Sequence, residues 1–396
     1  LIDLAYDSSS QNSTMSEHYP MQILRTDFPS ETGDVNQLEK VSGDHDRDEL
    51  AAIGKTQVLK RRFGFMSMLG FSCTLMGTWA GVVVYFSQSL ANGGSAGSVY
   101  GFLFAWIGVT CVISCLCEMA SMAPTSGGQY HFVAMLAPRS CQKSLSYIAG
   151  WATVASWQAA VTGVLLPDAQ MLQGLIALNN PTYIPQRWHG TLLCYCFLFL
   201  GLFVNTYLSK YLAKVEGVIL ILYIVGFLGI IVSLSTLAPH VTAKDVFTSW
   251  NNEGGWSSMG LAWFIGLGTF ASAFAGADGA THMAEEIQNA SLIVPRSMFT
   301  SVMLNGIFGF GALMAMLFSL TDVEAALQSP TGYPFLYIFQ SAAGVRGATV
   351  MAACIICMDT FDTWAVLATA SRQMWAFSRD NGLPGSRFLS RVRSAI

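Results

Sequence analysis

The chain has 396 residues, of which 53% are hydrophobic and only 11% charged, with a mean hydropathy of +0.46. A soluble protein of this length rarely lacks so much polar surface, so the composition points to a multi-span membrane protein with the lipid bilayer as its surroundings. The net charge of -4 is segregated into a polar, acid-rich stretch over the first 62 residues, and no basic patch accompanies the aromatics, which excludes nucleic acid as a partner.

Residues 1–62 are expected to form a disordered tail. "DLAYDSSSQNSTMSEHYP" and "SGDHDRDEL" scatter serine and acid with little apolar periodicity. Nothing near Leu1 resembles a charged segment followed by an apolar core, so no signal peptide is expected. "GKT" at Gly54–Thr56 resembles the end of a phosphate-binding loop, but the leading glycine of that motif would fall on Glu49, which rules it out.

A hydrocarbon core about 30 Å thick needs roughly 20 apolar residues of helix. Eight runs qualify: 65–90, 99–122, 146–166, 191–207, 215–237, 261–287, 298–320 and 348–377, the third able to run on into "DAQMLQGLIAL". With the tail in the cytoplasm, the inner segments hold Lys55, Lys60, Arg61, Arg62, Arg139, Lys143, Lys210, Lys214, Arg296 and five arginines from Arg372 to Arg393. The outer loops hold only Arg187, Lys244 and Arg346. That asymmetry sets a cytoplasmic N-terminus. It places the sequons at Asn12 and Asn289 on the side where no glycan is added. Of the nine cysteines, Cys73, Cys111, Cys115, Cys117, Cys194, Cys196, Cys354 and Cys357 fall inside apolar runs and are read as small buried hydrophobes. No histidine or second cysteine pair completes a zinc set, so no metal is expected.

Two spans are interrupted. The first contains "LMGTWAGVV" (Leu75 to Val83) and the sixth "FAGADGAT" (Phe274 to Thr281). Glycines clustered with a polar residue at mid-span lower helix propensity, and unwound backbone at that depth survives only where it lines a cavity or is buried in protein. For the first span, close helix packing through Gly77 and Gly81 explains the pattern equally well. The sixth carries Asp278, and an ionisable residue deep in a span is a functional candidate by default. Interruptions in spans one and six, with four spans between, are the register of two five-helix halves of opposite topology, each beginning with a discontinuous helix.

"DGATHMAEEIQNASLIVPRSMFTSVMLNGIFGF" (Asp278 to Phe310) resembles the sixth and seventh helices of the amino acid, polyamine and organocation transporters, most closely their fungal amino acid and choline permease branch. "SLANGGSAGSVYGF", "CEMASMAPTSGGQYHFVAMLAPR" and "ASRQMWAFSRDNGLPGSRFLSRV" match it too, so the resemblance covers most of residues 63–393. It implies an all-α transmembrane domain over 63–396 with a leucine-transporter-like, five-plus-five inverted-repeat core. The implied activity is secondary active import of an amino acid or small amine such as gamma-aminobutyrate or choline, coupled to protons by alternating access at the plasma membrane, with no cofactor and no enzymatic step.

Carried over by position, the unwound part of the first helix falls on Trp79, Ala80 and Gly81, with Thr78 beside them, as substrate-binding residues. Trp79 departs from the family's small-residue triplet, and its indole is expected to shape the pocket or stack on a cationic amine. The sixth-helix break falls on Phe274 to Asp278, with Phe274, Ala275 and Gly276 at the substrate and Asp278 in proton coupling. Asp359 and Asp362, three apart and so near one helix face, are further candidates for substrate or proton. Asp168, after Pro167, is expected at the membrane interface with a role in substrate access, Glu118 as a structural anchor, and His282, Glu285 and Glu286 in a solvated interface. The family has twelve spans, so a chain ending after eight is expected to be a fragment or a truncated product.

Two other classes use the same residues. An intramembrane aspartyl protease would need Tyr-Asp and Gly-x-Gly-Asp, whereas Asp359 follows Met358, Asp362 follows Phe361 and Asp278 follows Gly276-Ala277. A substrate sensor would keep the pocket without turning over.

Overall fold

The computed structural model describes residues 45–180, 182–329 and 331–392, so the first 44 residues, with Asn12, lie outside the described part. Helix α1 covers residues 45–52. The first span is two helices, α2 (Phe65–Met76) and α3 (Thr78–Ala91), followed by α4 (Gly94–Met122), a short α5 (Gln129–Leu136), α6 (Gln142–Asn179), α7 (Arg187–Tyr207) and α8 (Ser209–Leu237). After α9 (Ala243–Thr248) come α10 (Met259–Ala273), the single turn α11 (Gly279–His282) and a 3-10 turn at Ala284–Glu286. The remainder is α12 (Ala290–Ser319), α13 (Val323–Leu327), α14 (Pro334–Arg379) and α15 (Ser386–Leu389).

Seven helices are long and apolar enough to cross a membrane, counting α2 and α3 together. The eighth expected span, 261–287, is instead the 15-residue α10 followed by a non-helical stretch at Phe274–Asp278 and α11. α6 runs 38 residues through Pro167, absorbing the "DAQMLQGLIAL" extension. α14 is two helices merged across Gly344, whose φ of 66° is left-handed, and the expected span from 348 follows that kink.

The first span is the centre of the bundle. In it 83% of the most apolar stretch is buried, against 17% in α7. α4, α12, α10, α8 and α14 pack around it, and large side chains such as Phe104, Ile107, Phe199, Val218 and Ile221 point outward, as lipid-facing positions require. Cys73 is buried, but Cys111, Cys115, Cys196 and Cys357 are exposed, because a lipid-facing helix surface is as apolar as a core and imposes no burial on a small thiol.

The tail expected over 1–62 is structured in its last part. The Asp46 carboxylate accepts from the backbone amides of Asn289 (2.9 Å) and Ala290 (3.1 Å), capping the start of α12. It also pairs with Arg61 at 3.4 Å, and Arg61 donates to the carbonyls of Ala284 and Ile287. The Arg62 and Phe63 amides donate to the Glu286 carbonyl, and Gln288 returns a bond to Phe63.

Candidate functional site

The two broken spans meet. Gly77 ends α2 and begins α3 with φ 48°, a left-handed conformation that glycine adopts without the cost a side chain brings. The break therefore falls at Gly77, and Thr78, Trp79, Ala80 and Gly81 are already helical, which corrects the position expected from the family pattern. Asn305 of α12 satisfies the interrupted backbone. Its side-chain oxygen accepts from the Thr78 amide at 3.3 Å, and its amide nitrogen donates to the Cys73 carbonyl at 3.4 Å. Tyr223 of α8 donates to the same Asn305 oxygen at 2.6 Å. In the sixth span, Gly276 has φ 88°, and Leu75 presses against both Gly276 and Gly279. A Cβ on Gly279 would lie 2.0 Å from the Leu75 Cδ2.

Beside these breaks lies a cavity of about 540 Å³, walled by α3, α6, α10 and α14. Gly77, Gly81, Ala275 and Gly276 contribute from the broken helices, and Tyr85 and Trp157 supply aromatic walls. Its charged lining consists of Asp168, Asp359 and Asp362; the described residues around it include no lysine, arginine or histidine. Asp168, expected at the membrane interface, is 1% exposed, and its Oδ2 accepts from the Thr363 hydroxyl at 3.1 Å. The Asp362 Oδ2 lies 3.7 Å from where a Cβ on Gly77 would stand, and its Oδ1 has no hydrogen-bond partner. Three carboxyl groups thus face one cavity with no basic residue among its described lining, and a buried carboxylate is costly unless it is protonated or paired.

A second cavity of about 480 Å³ shares Tyr85, Gln88 and Pro167 with the first and continues past Gln173 and Tyr333. The path from the aspartates therefore runs toward the C-terminal end of α3.

The expected site residues separate. Trp79 is fully buried against Tyr223 (5.5 Å between rings) and Phe227 (6.1 Å), and neither it, Thr78 nor Ala80 lines the cavity. Phe274 packs on Phe102 at 5.4 Å. Phe274 and Asp278 line a different groove, of about 470 Å³, beside α4. Asp278 accepts a hydrogen bond from the Gln129 side chain and lies 3.5 Å from the His282 Nε2.

The opposite end of the bundle is closed by paired charges. His282 and Glu285, expected in a solvated interface, are 0% exposed. Arg379 donates to both oxygens of Glu285 at 2.7 and 2.6 Å, Arg372 donates to Glu286 at 2.7 Å, and Lys55 pairs with Asp380. Tyr130 donates to Asp380 at 2.8 Å; burial, then the Asp380 charge, push its hydroxyl well above the ordinary tyrosine range, so it remains a donor. Glu216 of α8, absent from the sequence-based candidates, is 0% exposed with neither oxygen bonded. Its only local signal was an acid one residue inside an apolar run.

Comparison with known proteins gives these residues a context. A family model described as amino acid permease matches residues 63–395. The chain is 32% identical over 349 residues to the choline transporter of Saccharomyces cerevisiae, covering 87% of this chain and 61% of that protein. It is 30% identical over 338 residues to a Macrophomina phaseolina protein named as an amino acid/polyamine transporter, covering 83% of this chain and 73% of that one. To amino-acid permease 2 of Neurospora crassa it is 26% identical over 346 residues, covering 87% and 64%. The chain thus spans less than two thirds of the choline transporter's length. It belongs to the amino acid permease family, whose members are carriers rather than enzymes.

Proposed function

We propose that the protein is a secondary active transporter that imports a small organic cation, an amine of the choline or polyamine kind, by alternating access and with proton coupling. The observation that carries this is the cavity beside the two broken helices, where Asp168, Asp359 and Asp362 stand without a basic residue among the described lining. An ammonium group supplies the missing charge, and the faces of Tyr85 and Trp157 suit a quaternary nitrogen that donates no hydrogen bond. A neutral amino acid would bring its own carboxylate into the same ring of carboxyls. The name of the Saccharomyces cerevisiae relative supports the cationic choice. The loop charges favour a cytoplasmic N-terminus, which turns the open path outward, and we assign the carrier to the plasma membrane. Asp278, outside the cavity, is the residue we assign to proton coupling.

The test is uptake by the full-length protein in cells lacking their own permeases, from a radiolabelled panel of choline, putrescine, gamma-aminobutyrate and neutral amino acids. Choline or putrescine is expected to accumulate, and Asp362→Asn to cut that uptake at least about tenfold, the equivalent of about 1.4 kcal/mol. Accumulation of neutral amino acids alone overturns the cation assignment. Binding without accumulation makes the protein a sensor.

A further inference from the structure

We infer that Asp278 and His282 hold a transported proton between them and that Trp157 links this pair to the substrate cavity; the inference rests on the transport reading above. It starts from hydrogen-bond accounting. The His282 Nδ1 lies 3.2 Å from the Ser126 carbonyl oxygen, which can only accept, so Nδ1 carries a hydrogen. A neutral imidazole in that tautomer turns a lone pair at Nε2 toward the Asp278 Oδ2, 3.5 Å away. Two acceptors facing each other at 0% exposure of the histidine repel. One more proton, on Nε2 or on the carboxyl, turns the repulsion into attraction, so in this packing the pair binds one proton beyond a neutral histidine and a free carboxylate.

The surroundings fix the pair and leave it the charge nearest itself. Gln129 of α5 donates to the Asp278 oxygen that faces the histidine. The Trp157 ring of α6 meets the His282 ring T-shaped, 5.5 Å apart at 83°, and on the turn between Asp278 and His282 α2 packs Leu75 against Gly279 and α12 sets Met298 against Thr281. The charged groups of α14 on this side, Arg372 and Arg379, are tied to Glu286 and Glu285.

Position supplies the coupling. Trp157 lines the substrate cavity and touches His282, whereas Asp278 faces the separate groove beside α4. Cation and proton therefore occupy different places and can be bound together, which is the arrangement for cotransport rather than exchange. The imidazole packs against Gly128, where a side chain would not fit: a Cβ there would lie 2.9 Å from the His282 Cε1. α11 is a single turn, and the 3-10 turn Ala284–Glu286, which carries the two glutamates paired with Arg379 and Arg372, follows it after Met283, so the pair is joined by a short segment to the residues that close this end.

The experiment uses the full-length protein in vesicles with the membrane potential clamped to zero and choline or putrescine as probe. An inward gradient of about one pH unit drives about tenfold accumulation when one proton accompanies each substrate. His282→Gln, and independently Asp278→Asn, are expected to abolish that accumulation while probe exchange across equal pH stays within about twofold of the unmutated protein. Accumulation by H282Q with the ordinary pH dependence overturns the pair. Loss of exchange together with accumulation in both variants, at normal membrane abundance, makes the residues structural and overturns it too. If the unmutated protein exchanges neither probe, it is the cation reading that fails, and the coupling built on it falls with it.

Discussion

The start of the first span and the break in its middle treat carboxylates in opposite ways. At the start of α2, Asp46, Glu285, Glu286 and Asp380 each face an arginine or lysine: Arg61, Arg379, Arg372 and Lys55. Around Gly77, only the length of α2 away, Asp168, Asp359 and Asp362 have no cationic partner among the described lining residues. A charge that is buried and unpaired costs several kcal/mol. The closed end meets that cost with permanent partners and becomes structure. The cavity offers no such partner among its described lining, and the cationic substrate proposed above would supply one.

The largest effect that would sharpen this contrast is on stability. Glu285→Ala leaves the Arg379 guanidinium without its two charge-assisted bonds, and breaking one side of a buried pair costs about 3–5 kcal/mol. Asp359→Asn removes a carboxyl with no cationic partner among the described lining, so it should leave the thermal midpoint of the purified protein unchanged or raise it while lowering cation uptake. Comparable losses of midpoint in the two variants would break the contrast, because the cavity carboxylates would then be structural as well. Glu216 falls on the cavity's side of it. With neither oxygen bonded, its replacement by glutamine removes no interaction.

The next effect is on the edge of the closed end. Asp46→Ala takes away both acceptors that cap α12, for which about 1–2 kcal/mol is the expected loss. Protease cleavage between residues 45 and 63 should accelerate in that variant. An unchanged cleavage rate would mean that the Arg61 bonds to the carbonyls of Ala284 and Ile287 hold the segment alone.

How much of this was legible in the sequence depends on the distance between partners. Apolar run length and flanking charge located the seven helices long enough to cross a membrane, and the glycines around Asp278 located the break in the run 261–287. The first span offered Gly77 and Gly81 within the same run. Which of them turns left-handed is decided by Asn305, 227 positions beyond Thr78, which bonds both sides of Gly77. The segment before the first span reads as disordered because serine and acid are scattered there with little apolar periodicity, yet Lys55 meets Asp380 across 325 positions. Asp168 read as interfacial because Pro167 resembles a helix end; α6 continues through it and carries Asp168 inward to α14. Local pattern found the elements and their faults. It could not find the groups brought together by packing.

The smallest effect tests whether every pair at the closed end is of the same kind. Lys55 and Asp380 keep 12% and 29% of their side-chain surface exposed, and Asp380 retains the Tyr130 hydroxyl when the lysine is gone. Water and that hydroxyl can solvate the remaining carboxylate, so Lys55→Ala should cost only about 0.2–1 kcal/mol, and high salt should shrink the difference from the unmutated protein further. Glu285 is fully buried and would keep only a long bond from the Thr125 hydroxyl, 3.4 Å, so salt should leave its pair with Arg379 almost untouched. A salt-insensitive loss at Lys55 as large as that at Glu285 would place the residue inside the seal rather than on its rim. The first opening of the closed end would then have to begin elsewhere than at the N-terminal segment.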